Sequence, residues 1–251
     1  MMYHPTLDKL QQLKLTGMLR ALQEQEAVPD IRTMPFEERL GLMVDRELTD
    51  RDNRRMQTRL RAAKLKQGAA LEDIDFKSAR GLDRSLIMKL AGCEWVAEHL
   101  NVLITGATGV GKTWLACALA HKACREGYSS YYVRLSRLFQ DLDIGRADGR
   151  YAKMMRQMAK TDVLVMDDWG LAVLSDQHRR DLLEILDDRY NLRATVITSQ
   201  LPVAHWHEAV GDPTLADAIL DRVVHNAYKI NLSGSSMRKE REKLTTDRPT
   251  P

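Results

Sequence analysis

Eight consecutive residues, Gly106-Ala107-Thr108-Gly109-Val110-Gly111-Lys112-Thr113, satisfy every constrained position of G-x-x-x-x-G-K-[ST]. The chemistry this pattern can do is grip a polyphosphate. The glycines let the backbone turn tightly, so that successive N–H groups, on through Trp114, converge on phosphate oxygens at a helix N-terminus. Lys112 reaches the β- and γ-phosphates, and the Thr113 hydroxyl is placed to hold Mg²⁺. The expected ligands are therefore ATP and magnesium.

Downstream, Val163-Leu164-Val165-Met166-Asp167-Asp168 is an apolar run ending in two carboxylates. Asp167 is placed to bind Mg²⁺ directly or through water. Asp168 is placed to act as general base or to orient the attacking water. Gln200, at the polar end of another apolar run, could hydrogen-bond the same water or the γ-phosphate. Arg222 and Arg238 are the arginines that could stabilise transferring phosphoryl charge, one of them supplied by a neighbouring subunit.

These groups need a scaffold that lines them up at strand ends. Val102-Leu103-Ile104 reads as a strand into the phosphate loop, and Trp114–Cys124 as the helix behind it. Tyr131–Val133, Val163–Asp168, Thr195–Gln200 and Tyr228–Leu232 read as further strands alternating with helical stretches, among them one capped by Ser175 and one over Leu215–Asn226. That alternation predicts an α/β protein with a mostly parallel sheet, in which ligands bind beyond the carboxyl ends of the strands. Residues 135–160 read as two short helices around a Gly145–Gly149 turn. Trp95 reads as core rather than as a platform for adenine.

Residues 5–66 look helical throughout. Leu7, Leu10, Leu15, Met18, Leu19 and Leu22 form one stripe, broken at Val28-Pro29-Asp30. A second helix is expected from Pro35 and a third from Thr49 or Asp50. The boundary is placed at Lys66-Gln67-Gly68, giving a helical domain over 1–67 and an ATPase domain over 68–251.

With 44% hydrophobic and 29% charged residues in 251, the composition is that of a globular protein with a real core. No apolar run approaches a membrane span, and the start lacks a signal-peptide core. Cys93, Cys117 and Cys124 form no C-x-x-C pair, so a reduced cytoplasmic setting is expected. His205-Trp206-His207 reads as a polar loop, not a metal site. The net charge is only +3, yet seven basic residues against one acid lie between Arg51 and Lys66, and seven against three between Arg134 and Lys160. Such clusters suit either a polyanion or a solvated face.

The ordered set of Gly106–Thr113, LVMDDWG at 164–170, ITSQLP at 197–202, and ADAILDRVVHNAYKI at 216–230 with GSSMRK resembles the IstB-like insertion-sequence ATP-binding proteins, which are sisters of the DnaC helicase loaders in the AAA+ initiator clade. The helical start with ELTDRDNRR is similar too, so the resemblance spans almost the whole chain. It implies a P-loop, AAA+-type five-stranded parallel sheet flanked by helices. Lys112 and Thr113 would be the Walker A pair and Asp167 and Asp168 the Walker B acids. Gln200 falls at sensor 1, Arg222 at the arginine finger and Arg238 at sensor 2. Two departures stand out. Asp168 replaces the usual, longer glutamate, so slow hydrolysis is expected. Fewer than twenty residues follow Leu232, too few for a full C-terminal lid.

The resemblance also implies partners: duplex DNA bound without strict sequence preference, a cognate transposase, and further copies of the chain sharing ATP sites at their interfaces. The expected function is a DNA-stimulated ATPase acting in transposition. Arg146, Arg150, Lys153 and Arg156, where the clade carries a DNA-facing insertion, become candidate phosphate contacts, with Arg51, Arg54, Arg55 and Arg59 from the first basic cluster. The rivals are a DnaC-like helicase loader acting on single-stranded DNA and a small-molecule P-loop kinase.

Overall fold

The computed structural model describes residues 5–76 and 80–237, and these divide into two compact units, Met1–Thr58 and Arg59–Pro251. In the first unit α1 (Pro5–Gln12) and α2 (Thr16–Glu26) are followed by a 3-10 turn over Pro29–Thr33 and by α3 (Phe36–Ala63), which continues into the second unit. The expected single leucine stripe is interrupted, because Lys14 turns with φ +57° and separates α1 from α2. Conversely, no break occurs at Thr49 or Asp50. Ser, Thr and Asp favour caps, but here Thr49 bonds back to the Asp45 carbonyl and the helix runs on for 28 residues.

Leu15, before α2, offers no side-chain cap, so the first amides of α2 need another acceptor. Glu47 supplies it: its carboxylate accepts from Gly17 N at 2.6 Å and Met18 N at 3.3 Å and pairs with Arg51 at 2.7 Å. Gly17 is required there, since a Cβ would lie 2.6 Å from the Glu47 Cα.

The second unit continues through α4 (Arg84–Ala91) and α5 (Glu94–Ala97) into β1 (Asn101–Gly106) and α6 (Lys112–Arg125). Then come β2 (Ser130–Arg134), α7 (Leu135–Asp148), α8 (Tyr151–Lys160), β3 (Val163–Trp169), α9 (Asp176–Asp187) and β4 (Ala194–Ser199). The short α10 (Trp206–Val210), α11 (Pro213–Val224) and β5 (Ala227–Leu232) follow. Every strand pair is parallel, in the order β2-β3-β4-β1-β5.

The inner strands β1, β3 and β4 are buried on both faces because helices cover both. Val102, Ile104, Val163, Val165 and Val196 pack with Leu115 and Leu119 of α6 on one side. Leu103, Leu164, Met166 and Ile197 pack with Leu138, Leu182 and Ile219 on the other.

Ser175 caps α9 by accepting from His178 N, as expected. Trp95 is core, 2% exposed, with its Nε1 donating to Leu90 O. Gly145 lies inside α7, so the turn sits at Gly149 alone, with φ +81°. The His205–His207 stretch is not a plain polar loop, since Trp206 is fully buried against Trp169. Among the described residues no group of His, Cys, Asp or Glu could hold a metal ion by itself, and no helix is long and apolar enough to cross a membrane.

Candidate nucleotide site

The site stands at the carboxyl ends of β1, β3 and β4. After Thr105 the chain turns through Gly106, Gly109 and Gly111, with φ +143°, +89° and +105°. At Gly106 nothing larger fits, because a Cβ would lie 2.1 Å from the Leu232 carbonyl oxygen of β5. Gly109 lies under the segment after β5: a Cβ would meet Ser236, and Met237 N donates to Gly109 O at 3.0 Å. Val110 is fully buried and pins the loop's far side to the core. Trp114 is half-buried against Ala69, Cys117 and Ala118, so its ring is a packing element and only its amide faces the helix start.

Lys112 is 7% exposed, and its ammonium donates to Gly106 O at 2.7 Å and Ala107 O at 2.8 Å. Burial pulls its pKa below the ordinary lysine value, against the opposing charges of Asp168 and Asp167. A buried cation held only by loop carbonyls is suited to a phosphate.

Asp167 is fully buried and saturated with donors. Thr113 Oγ1 at 2.7 Å and Thr198 Oγ1 at 2.6 Å meet Oδ1, while Tyr132 OH at 2.5 Å and Lys66 Nζ at 3.6 Å meet Oδ2. Burial alone would raise its pKa. The hydrogen bonds from Thr198, Tyr132 and Thr113 and the charge of Lys66 outweigh that and hold the carboxyl below the usual range. The same contact pushes the Tyr132 phenol upward, after burial. An ionised carboxylate next to a threonine hydroxyl is a hard oxygen donor set, which fits magnesium completed by phosphate oxygens and water.

Asp168 adopts φ +64° at an irregularity in the β3–β4 register between Met166 and Trp169. Its amide donates to Thr198 Oγ1 at 3.2 Å, and its Oδ2 pairs with Arg134 Nε at 2.6 Å. Gln200 is brought to the loop as well, accepting from Thr108 Oγ1 at 2.7 Å. The fold thus gathers Gly106–Thr113, Asp167, Asp168 and Gln200 in one place.

Arg222 is not part of that cluster. Its carbonyl accepts from Asn101 at the start of β1, and its guanidinium pairs with Asp187 at 2.6 Å. The length of β1, about 17 Å, separates it from its own phosphate loop. Arg238 lies outside the described residues.

The basic candidates separate into distinct environments. Arg146 turns inward to buried Asp181 and stacks on Tyr151, so it is not a free surface cation. Arg150 pairs with Asp148. Lys153 and Arg156 are exposed on α8 without a carboxylate partner among the described residues. Arg51 and Arg54 pair with Glu47, Arg55 faces Asp52, and Arg59 donates to the Cys124 carbonyl.

Four residues of the site escaped the sequence reading: Lys66, Tyr132, Arg134 and Thr198. In the sequence Lys66 and Arg134 stand within basic clusters, and Tyr132 and Thr198 within strand stretches. The one usable signal was the hydroxyl-rich end of β4.

Against known proteins, residues 8–245 match the family of IstB-like ATP binding proteins. A Sinorhizobium fredii protein, y4pL, named as an insertion sequence ATP-binding protein, is 52% identical over 97% of this chain and 99% of its own length. The protein of Pseudomonas aeruginosa named as the ATP-binding protein of insertion sequence IS21 is 33% identical over 98% of this chain and 92% of its own. Among solved structures, DnaI superposes with a TM-score of 0.57 at 25% identity, covering 70% of this chain and 93% of that one.

Proposed function

The chain belongs to the IstB-like family of insertion-sequence ATP-binding proteins, and from that premise we propose that it is a DNA-dependent ATPase that assembles on duplex DNA and stimulates a cognate transposase. The observation that carries the ATPase reading is the meeting of Thr113, in the first turn of α6, with Asp167 near the end of β3, 54 residues away in sequence.

In this reading the loop amides and Lys112 bind the triphosphate, and Thr113 and Asp167 hold magnesium. Magnesium, if bound there, would supply positive charge that offsets the charge of the phosphates. Asp168 accepts a proton from water or orients it, once released from Arg134. Gln200, already at Thr108, positions the same water. Asp168 is one methylene shorter than glutamate and tied to an arginine, which supports slow turnover.

The position of Arg222 supports assembly. It stands at the opposite end of β1 from its own loop, so it can meet a γ-phosphate only in a neighbouring copy. ATP occupancy would then be coupled to packing. Lys153 and Arg156, exposed on α8 without a carboxylate partner among the described residues, are the DNA phosphate contacts of this reading. Such contacts read no sequence and weaken steeply with salt. The relatives that align over nearly the whole chain are named as insertion-sequence ATP-binding proteins, and the transposase partner is what the resemblance to that family implies.

Sizing the protein with duplex DNA in ATP, in ADP and without nucleotide tests the proposal. Growth in size only with DNA and ATP is expected. Identical sizes in all three conditions, with no phosphate release, would overturn it.

A further inference from the structure

The cation closest to the buried carboxylate of Asp167 comes not from the phosphate loop but from Lys66, three residues beyond α3. Its position is built. The backbone of Lys66 and Gln67 lies against the thiol of Cys117, which is fully buried on α6. Leu65, Ala69 and Leu71 pack around Cys117, Ala118, Trp114 and Tyr132. Cys117 lies four residues after Thr113, on the same face of α6. One turn of this helix therefore anchors the Lys66 backbone while the next presents the Thr113 hydroxyl to Asp167.

The four donors on Asp167 are unequal. Thr113, Thr198 and Tyr132 approach within 2.5–2.7 Å, whereas Lys66 stands at 3.6 Å with its side chain 41% exposed. The three hydroxyls come from the sheet and α6, inside the packed core. The ammonium sits on a long side chain that can swing into water at little cost.

Resting on the ATPase reading above, we infer that Lys66 is a resident counter-cation of Asp167 that magnesium must displace. It neutralises the buried carboxylate while the metal is away and yields Oδ2 when the metal arrives. It sets how much magnesium the nucleotide site requires, and leaves the grip on the phosphates to Lys112.

The test titrates magnesium against the full-length protein with a fluorescent ADP. Lys66→Met is expected to reach half-saturation at about twofold to fivefold less magnesium, the scale of a half-exposed ion pair. Lys66→Arg, which keeps the charge, should stay near the wild-type midpoint. ADP affinity in excess chelator should be the same in all three. Lys66→Gln repeats the measurement if the Met variant does not fold. A midpoint unchanged or raised in the uncharged variants overturns the inference. If wild-type ADP binding ignores magnesium, or Asp167→Ala responds as wild type does, the ATPase reading itself fails. That result is distinct from an unmoved Lys66 midpoint in a protein that answers magnesium.

Discussion

Arg134, the last residue of β2, holds the Asp168 carboxylate at 2.6 Å, while the Asp168 backbone sits at φ +64° beside it. Asp168, proposed above as the second Walker B acid, is thus clamped by an arginine from the adjacent strand. In the proposed mechanism it acts as base only after leaving that pair. Asp168→Asn should lower ATP turnover by about a hundredfold or more while ATP binding is kept. Phosphate release and equilibrium nucleotide binding, measured side by side, check both halves.

Among the described residues the Arg222 guanidinium bonds to Asp187 and the Ala218 carbonyl of its own chain. Arg222→Ala should leave nucleotide binding by the free protein unchanged. It should abolish the DNA- and ATP-dependent increase in size and cut stimulated turnover about a thousandfold, as loss of an arginine finger does. Assembly and turnover both surviving the substitution would remove Arg222 from the mechanism.

Gly106 meets the Leu232 carbonyl so closely that even a methyl group has no room. Gly106→Ala would displace either the loop or β5. Beyond that collision, the strained backbone costs about 1–3 kcal/mol. A lower Tm together with lost ADP binding is expected, because the same residue shapes the loop and seats the edge strand.

The basic helices should separate in a salt titration of DNA binding. Lys153→Ala and Arg156→Ala should each reduce the slope of log affinity against log salt by about 1. Arg146→Ala should leave that slope unchanged. It should instead lower stability by about 1–3 kcal/mol, since buried Asp181 loses its charged partner.

Glu47 gives the first unit a pH dependence with a defined sign. Burial would raise its pKa, but the bonds from Arg51, Gly17 and Met18 win and leave it below the ordinary value of 4.5. A lowered folded-state pKa contributes stability that is present above about 4.5 and lost as pH falls through the folded value. Glu47→Gln should therefore depress Tm most at neutral pH, and the gap from wild type should close below pH 4.5. Thermal unfolding followed by circular dichroism across that range checks it.

The sequence by itself determined what is local. The phosphate loop was legible because its glycines fix dihedrals within eight residues. The strands were legible because burial on both faces demands unbroken apolar runs such as Val163–Met166. Asp167 was legible because it ends one of them. Where competing local signals were nearly balanced, the reading failed: the break at Lys14 was not expected, and the one expected at Thr49 or Asp50 lies inside a continuous helix.

Only the tertiary structure decided who neutralises whom. Lys66 and Arg134 look like any surface cations in their basic stretches. Docking the segment after α3 against Cys117 and setting β2 beside β3 bring them to Asp167 and Asp168. The same is true of Arg222, whose distance from its own loop follows from α11 packing at the amino end of β1. Counter-charge pairing depends on which distant segments meet, and short-range periodicity carries no record of that. Hence the motif that grips phosphate could be read from the chain, while the cations that govern its acids emerged only with the fold.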